Sequence, residues 1–311
     1  MRLALGIDVG GTTIKSAFGD AEGNLYLKSQ TPTPTGATAL VEEIKRIRDS
    51  KLEQLELSRE QGNGDVPPTF DLVEVIGVAV PGVVDERSGT AVLSVNLGWK
   101  DAPMKAMLEA DLKTSVAFGH DVRCGALAES VWGQAGPDSI FLAIGTGIAA
   151  GIIVDGEPLV GGGWAGEVGQ ILLADPANSE YSLPIERIAS AKAIRDRYCD
   201  RASVDVSEVN GARSVFDRAH RGDEIAEQII AEACEALAEI VVNSVSIFGR
   251  IKVVVGGGLS NAGPDLLNPL RQGVRRRIGV LPEPDIIGAR LGSWAQTKGI
   301  AWKALHYQEE Q

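Results

Sequence analysis

Apolar residues along the chain fall in short blocks whose spacing switches between two periods. Leu3–Val9 is a near-continuous apolar run closed by Gly10-Gly11, and Thr13–Phe18 resumes it before the turn-forming stretch 19–24. This predicts a strand, a tight glycine turn and an antiparallel return strand. Helical spacing follows across Ala37–Leu57, at Leu40, Val41, Ile44, Ile47 and Leu52, and gives way to a Gly/Pro-rich loop at 61–68. A buried strand is predicted at Val73–Val80, ending in Pro81-Gly82. A short strand at Ser115–Phe118 leads through Gly119-His120 into a helix at Val122–Trp132, so Asp121 falls at that helix's N-terminus.

The same grammar recurs in the second half. Ile140–Ile144, Gly145-Thr146-Gly147 and Ile148–Val154 again read as strand, glycine turn and strand, a weak echo of the N-terminal segment. Helices are predicted at Ser182–Tyr198, Asp223–Phe248, Asp265–Gly279 and Gly292–Leu305, with a strand at Ile251–Val255 running into Gly256-Gly257-Gly258. The alternation predicts α/β layers with an internal duplication. At 311 residues the chain is long enough for two lobes. They are expected as a small α/β domain over 1–118, completed by the closing segment 292–311, and a larger α/β domain over 119–291.

Composition narrows the function classes. Thirty Lys and Arg against 42 Asp and Glu give a formal net charge of −12, which disfavours a broad cationic surface for nucleic acid or anionic lipid. No apolar run approaches the roughly 18–20 residues needed to cross a bilayer, and Met1-Arg2 leads into a strand rather than a signal peptide, so a cytoplasmic protein is expected. Cys124, Cys199 and Cys234 are far apart and form no CxxC pair, as expected of buried reduced thiols.

Three glycine clusters, Gly10-Gly11, Gly145/Gly147 and Gly256–Gly258, each stand where a buried strand ends. Glycine lets backbone N–H groups approach an anion closely, although any one cluster read alone is as well explained as a turn. No GxxxxGK[ST] or properly spaced GxGxxG is present. Asp8 precedes Gly10 in an apolar strand, where it needs a cation or the amides of its own turn. Thr12, Thr13 and Lys15 can donate to phosphate oxygens. Asp121 has the position of a general base, and equally that of a helix N-cap. Asn96 in Val95-Asn-Leu-Gly-Trp99 and Glu167 in the glycine-rich stretch 161–169 are further polar candidates.

Taken in order, Asp8-Val-Gly-Gly-Thr-Thr-Ile-Lys15, Pro81-Gly82, Asn96-Leu-Gly-Trp99, Asp121 with Ala126-Leu-Ala-Glu129, Gly145-Thr-Gly147, Gly166-Glu-Val-Gly169 and Val255-Gly-Gly-Gly-Leu-Ser260 resemble the ROK family (repressors, open reading frames and kinases), most of all its glucokinase-type sugar kinases. The resemblance spans nearly the whole chain. It implies the duplicated actin/hexokinase-like ATPase fold, with ATP, Mg²⁺ and a sugar meeting in an interdomain cleft, and a homodimer is expected. It makes Asp121 the base that deprotonates the primary hydroxyl of a hexose, and Asn96, Glu167 and Glu186 ligands for other hydroxyls. Glu186 is placed by a Glu-x-x-Ala-Ser stretch ending at Ser190. The resemblance also implies that the Gly10–Lys15 and Gly145–Gly147 turns hold phosphates, that Gly256–Gly258 lies against the adenosine, and that Asp8 meets Mg²⁺ through the phosphates.

The chain departs from the family pattern in three places. The stretch 170–186 has none of the cysteines of the family's zinc motif, so no zinc site is expected. Gln170 replaces a His, and His120 stands where the family has an Asn beside the catalytic Asp. Both exchanges alter the hydrogen-bond repertoire around the acceptor. Glucose is the default acceptor, with an aminosugar (kanosamine or N-acetylmannosamine) or a sugar-like cyclitol as the alternative. Polyphosphate as donor is disfavoured by the absence of extra cationic residues. A sugar-sensing repressor needs a DNA-binding domain ahead of this core, and seven residues before Asp8 leave no room for one; a non-catalytic sugar sensor is the remaining competitor.

Overall fold

The computed structural model describes residues 1–62 and 64–308; Asn63, in the loop expected at 61–68, and residues 309–311 of the closing segment lie outside it. The chain divides into two compact units. The first comprises Met1–Gly133, Glu157–Ala165 and Leu291–Gln311, and the second Gln134–Gly156 and Gly166–Arg290.

In the first unit β1 (Arg2–Val9) turns at Gly10 into antiparallel β2 (Thr13–Gly19), and β2 pairs with β3 (Leu25–Pro32). After α1 (Ala37–Gln61), β4 (Ile76–Val80) adds to β1 in parallel, and β5 (Val116–His120) adds to β4. The order is β3-β2-β1-β4-β5, with the two-residue strand Asp71–Leu72 also pairing β1. The strand expected over Val73–Val80 is therefore shorter, because at Glu74 the backbone carbonyl accepts from the Thr114 hydroxyl rather than from a neighbouring strand. Every residue of β4 and β5 is buried, as their unbroken apolar runs require for strands covered on both faces. Between them lie a three-stranded meander (Val83–Asp85, Thr90–Ser94, Trp99–Ala102) and α2 (Met104–Leu112).

The C-terminal helix Ala295–Leu305 packs across this sheet and against α3 (Asp121–Val131). Glycines permit the approach: a Cβ at Gly77 would stand 2.3 Å from the Ile300 carbonyl oxygen, and one at Gly299 only 1.9 Å from that of Cys124. This packing is why the first unit runs past 118 and takes in α3.

The second unit repeats the pattern. β6 (Ser139–Ile144) turns at Gly145–Gly147 into antiparallel β7 (Ile148–Val154), β8 (Lys252–Gly256) adds to β6 in parallel, and β9 (Asp285–Gly288) adds to β8. A hairpin followed by parallel strands occurs in both sheets, which is the duplication the sequence echoed. The helices over this sheet include α4 (Ala191–Ala202), α5 (Gly211–Ala219) and α6 (Glu224–Phe248), the last capped by Asp223, whose carboxylate accepts from the Ile225 and Ala226 amides. The single helix expected at Ser182–Tyr198 is instead a strand, a single helical turn and a helix. Ser182–Pro184 pairs with Leu172–Ala174 in a hairpin, Glu186–Ala189 forms one turn, and extended Ser190 breaks it before capping α4 through the Ala193 amide at 3.0 Å.

Candidate functional site

Asp8 and Asp121, two candidate residues of the first unit, stand at the carboxyl ends of its parallel strands, the edge where ligands bind in open α/β sheets. Asp8 is in register with Ala79, and Ala79 with Gly119, so Asp8 and the Gly119–Asp121 junction occupy the same end of two strands that flank β4. Asp8 is buried, and loss of water raises its carboxyl to about 7, partly offset by Lys15, its cross-strand partner. The Gly10 amide donates to the Thr13 carbonyl at 3.0 Å rather than to Asp8, and the Thr33 hydroxyl donates to the Gly10 carbonyl at 2.8 Å. Gly11 and Thr12 are exposed at the tip of this turn, with Thr13 half-buried at the start of β2. Lys15 donates to the Ser293 carbonyl and stands 5.8 Å over the Trp294 ring. Asn96 is exposed on the turn that joins the second and third strands of the meander, next to buried Leu97.

Asp121 is the first residue of α3, directly after buried β5. Its Oδ1 accepts from the Val122 amide at 2.7 Å and lies 3.2 Å from His120 Nε2. His120 is 4% exposed, and burial first, then Arg123 and Lys303, push its pKa down to about 3, so the ring is neutral at pH 7. A proton on Nε2 would face that carboxylate oxygen and leave Nδ1 an acceptor. Nδ1 is buried with no hydrogen-bond partner among the described residues.

Behind this junction sits a charged cluster that the sequence reading did not single out. Glu86 Oε1 lies 2.7 Å from Arg123 Nε and accepts the His120 amide at 3.1 Å, while Lys303 pairs with Oε2. Arg123 also donates to the Val84 carbonyl at 2.5 Å, and Lys303 to the Phe118 carbonyl at 3.2 Å. Burial alone would raise the Glu86 carboxyl, but Lys303 and Arg123 hold it down to about 2. Its members come from three distant segments, and the available signal was Arg123 two residues beyond Asp121.

The second unit gathers its own set. Gly145 N–H donates to the Gly147 carbonyl at 2.9 Å, closing the turn with Thr146 exposed at its tip. Gly257, at φ 78°, lies so close that a Cβ there would be 2.4 Å from the Ile144 carbonyl oxygen, which sets the Gly256–Gly258 corner against the Gly145 turn. Glu186 Oε2 would be 3.1 Å from a Cβ at Gly147 and 3.2 Å from one at Gly169, while its Oε1 accepts from Gln170 Nε2 at 3.0 Å. The Glu167 carbonyl accepts the Gln170 amide at 3.1 Å. Gly166 could not carry a side chain, since its Cβ would stand 1.9 Å from the Ala150 carbonyl oxygen. Among the described residues no group of three or more His, Cys, Asp or Glu could hold a metal ion, and no helix is long and apolar enough to cross a membrane.

A family model described as "ROK family" matches residues 4–306. The chain belongs to the ROK family. Among ROK relatives, a glucokinase of Halalkalibacterium halodurans is 30% identical over 291 residues, covering 87% of this chain and 84% of that protein. A xylose repressor of Caldicellulosiruptor bescii is 31% identical, over 65% of this chain and 54% of that one. The solved structure of a ROK family glucokinase from Streptomyces griseus in complex with glucose and AMPPNP matches with a TM-score of 0.79 at 25% identity, covering 98% of this chain and 100% of that one. The fold is thus the actin/hexokinase-like ATPase fold of the ROK sugar kinases, in agreement with the duplicated sheets.

Proposed function

We propose that this protein is an ATP-dependent sugar kinase that transfers the γ-phosphoryl group to the primary hydroxyl of a hexose, with Asp121 as general base. The observation that carries the reading is the junction itself: a carboxylate on the first turn of α3, at the carboxyl edge of a parallel sheet, in a chain that matches glucokinases along most of its length. In the proposed step Asp121 accepts the hydroxyl proton as the sugar oxygen bonds to phosphorus, and the bond from phosphorus to the bridging oxygen breaks to release ADP. His120, being neutral, orients the base through Nε2–H and does not compete for the proton. The backbone amides of Gly10–Thr13 with Lys15, and those of Gly145–Gly147, bind phosphates, and Gly256–Gly258 faces the adenosine. Asn96, Glu167, Gln170 and Glu186 take the remaining sugar hydroxyls.

A single buried carboxylate with a raised pKa suits a divalent cation held mainly by nucleotide phosphates: Asp8 would attract Mg²⁺, which when bound neutralises charge on the transferring phosphoryl group. Glucose is the favoured acceptor because glucokinases recur among the relatives that match most of both chains. An aminosugar or cyclitol acceptor is supported by His120 and Gln170, the two departures beside the acceptor residues. The xylose-repressor match favours one competing reading, a sugar sensor without catalysis.

Asp121→Asn separates these. It is expected to leave sugar and ATP binding within several-fold while lowering kcat by roughly 10²–10⁴, the range for loss of a positioned base. Steady-state kinetics with calorimetric binding checks it; a variant that keeps most of its turnover refutes the role, and a wild-type protein that binds sugar without releasing ADP supports the sensor.

A further inference from the structure

We infer that Glu86 is the positioning residue for Asp121, acting by gripping the chain on both sides of it. The inference deepens the kinase reading above and rests on Asp121 being the base.

One oxygen of Glu86 bonds to residues flanking Asp121. Oε1 accepts the backbone amide of His120, the residue before it, at 3.1 Å, and lies 2.7 Å from the guanidinium of Arg123, two residues after it. The other oxygen is held by Lys303, on the C-terminal helix, whose ammonium also donates to the Phe118 carbonyl at 3.2 Å, two residues upstream of His120. Backbone groups at 118 and 120 and the side chain at 123 are thus tied to one carboxylate, and that carboxylate is itself fixed from two directions. Arg123 is 2% exposed and reaches past Glu86 to the Val84 carbonyl, so the clamp is anchored in the meander that carries Glu86.

The geometry explains why so costly an arrangement is present. One buried and two half-buried charges stabilise a fold no better than apolar side chains of the same shape. They do impose one conformation, because each has directional partners that a sliding strand or rotating helix would break. Without the clamp, the β5–α3 junction would be held by ladder hydrogen bonds and apolar packing, which tolerate small shifts. A base that must meet a hydroxyl proton in line with phosphoryl transfer does not tolerate them, since a misplacement of about 1 Å can cost on the order of 10²-fold in rate. His120 adds a second tie: its amide is held by Glu86 and its ring by Asp121, so fixing its backbone also fixes the orienting imidazole.

The test is a double-mutant cycle between Glu86→Gln and Asp121→Asn, read by transfer of labelled phosphate so that low rates are measurable. The Gln variant keeps shape and one acceptor but loses the charge that binds Arg123 and Lys303. The expected result is a kcat lowered by about 10–100-fold with KM for sugar and ATP within about 3-fold, and no further loss when Glu86→Gln is added to Asp121→Asn. A merely structural role would multiply with the Asp121 loss, or would raise KM in step with falling thermal stability; either result overturns the inference, as does a Glu86→Gln enzyme of unchanged kcat. Should Glu86→Gln fail to fold, Lys303→Met gives the same reading, with a several-fold loss of kcat that vanishes in the Asp121→Asn background; a Lys303→Met loss that persists there overturns it. An Asp121→Asn enzyme with normal turnover sinks the base assignment itself, whereas a crippled Asp121→Asn beside a fully active Glu86→Gln sinks the positioning role alone.

Discussion

On the proposed kinase reading, the needs of the nucleotide and of the folded chain oppose each other at Asp8. Its folded pKa, about 7, lies above the ordinary 3.8, so the folded state holds a proton that the unfolded state releases. Stability from this group is full below pH 4 and is lost as pH rises through 7, a difference of up to about 4 kcal/mol at 1.36 kcal/mol per pKa unit. Asp8→Asn removes that loss. The ligand-free variant should unfold several degrees above wild type at pH 8 and at nearly the same temperature at pH 4, while losing kinase activity. Glu86 works in the opposite direction, stabilising above about pH 4.5 and failing as pH falls toward 2, but it is common to both proteins and cancels in the difference. Parallel melting curves across this range would show that Asp8 is not strained by burial.

His120 and Gln170 belong to the same scale. His120→Asn with Gln170→His restores the family's usual residues and is expected to shift kcat/KM toward glucose by ~1–3 kcal/mol relative to the native acceptor, the worth of an exchanged buried hydrogen bond. Because His120 also touches Asp121, the informative quantity is the ratio between sugars, in which any general loss of kcat cancels. An unchanged ratio across a sugar panel means the two exchanges are neutral for specificity. Asp121, Asp8 and Glu186 could be nominated from the sequence because each sits in a local motif. Glu86 and Lys303 were not, because a pairing across 217 residues leaves no local pattern.

Among elements, the long apolar strands and Glu224–Phe248 followed directly from their periodicity, whereas Ser182–Tyr198 did not. Ile185, Ile188 and Ala189 fit a helical stripe, but Pro184 lacks an N–H and Ser190 prefers to cap, so the stretch divides into strand, turn and helix. The meander at 83–102 was missed since its strands are three to five residues long and carry exposed polar positions. The approach of the C-terminal helix to the sheet is testable at Gly77, where a Cβ would fall 2.3 Å from a backbone oxygen that cannot move aside alone. Gly77→Ala should destabilise by roughly 1–3 kcal/mol or more as an overpacked contact, measured by denaturant unfolding. A neutral change would mean that the helix docks more loosely than the structure shows.

For the whole molecule, the glycine turns were ambiguous one by one and became informative through their order, because a duplicated fold repeats its hairpin turn at the same place in each sheet. Gly10–Thr13 follows β1 and Gly145–Gly147 follows β6, and each turn joins the antiparallel pair of its sheet. What the sequence left open is chemical, since glycine turns that suit an anion do not select the acceptor. The central claim is catalysis on a sugar, and its most direct measurement is ATP-dependent ADP release across a panel of hexoses, aminosugars and cyclitols, with the phosphorylated position read by NMR. The account predicts turnover with at least one hexose-like acceptor, phosphorylated at its primary hydroxyl and lowered roughly 10²–10⁴-fold by Asp121→Asn. Sugar binding without ADP release from any acceptor, or turnover indifferent to Asp121, would contradict it.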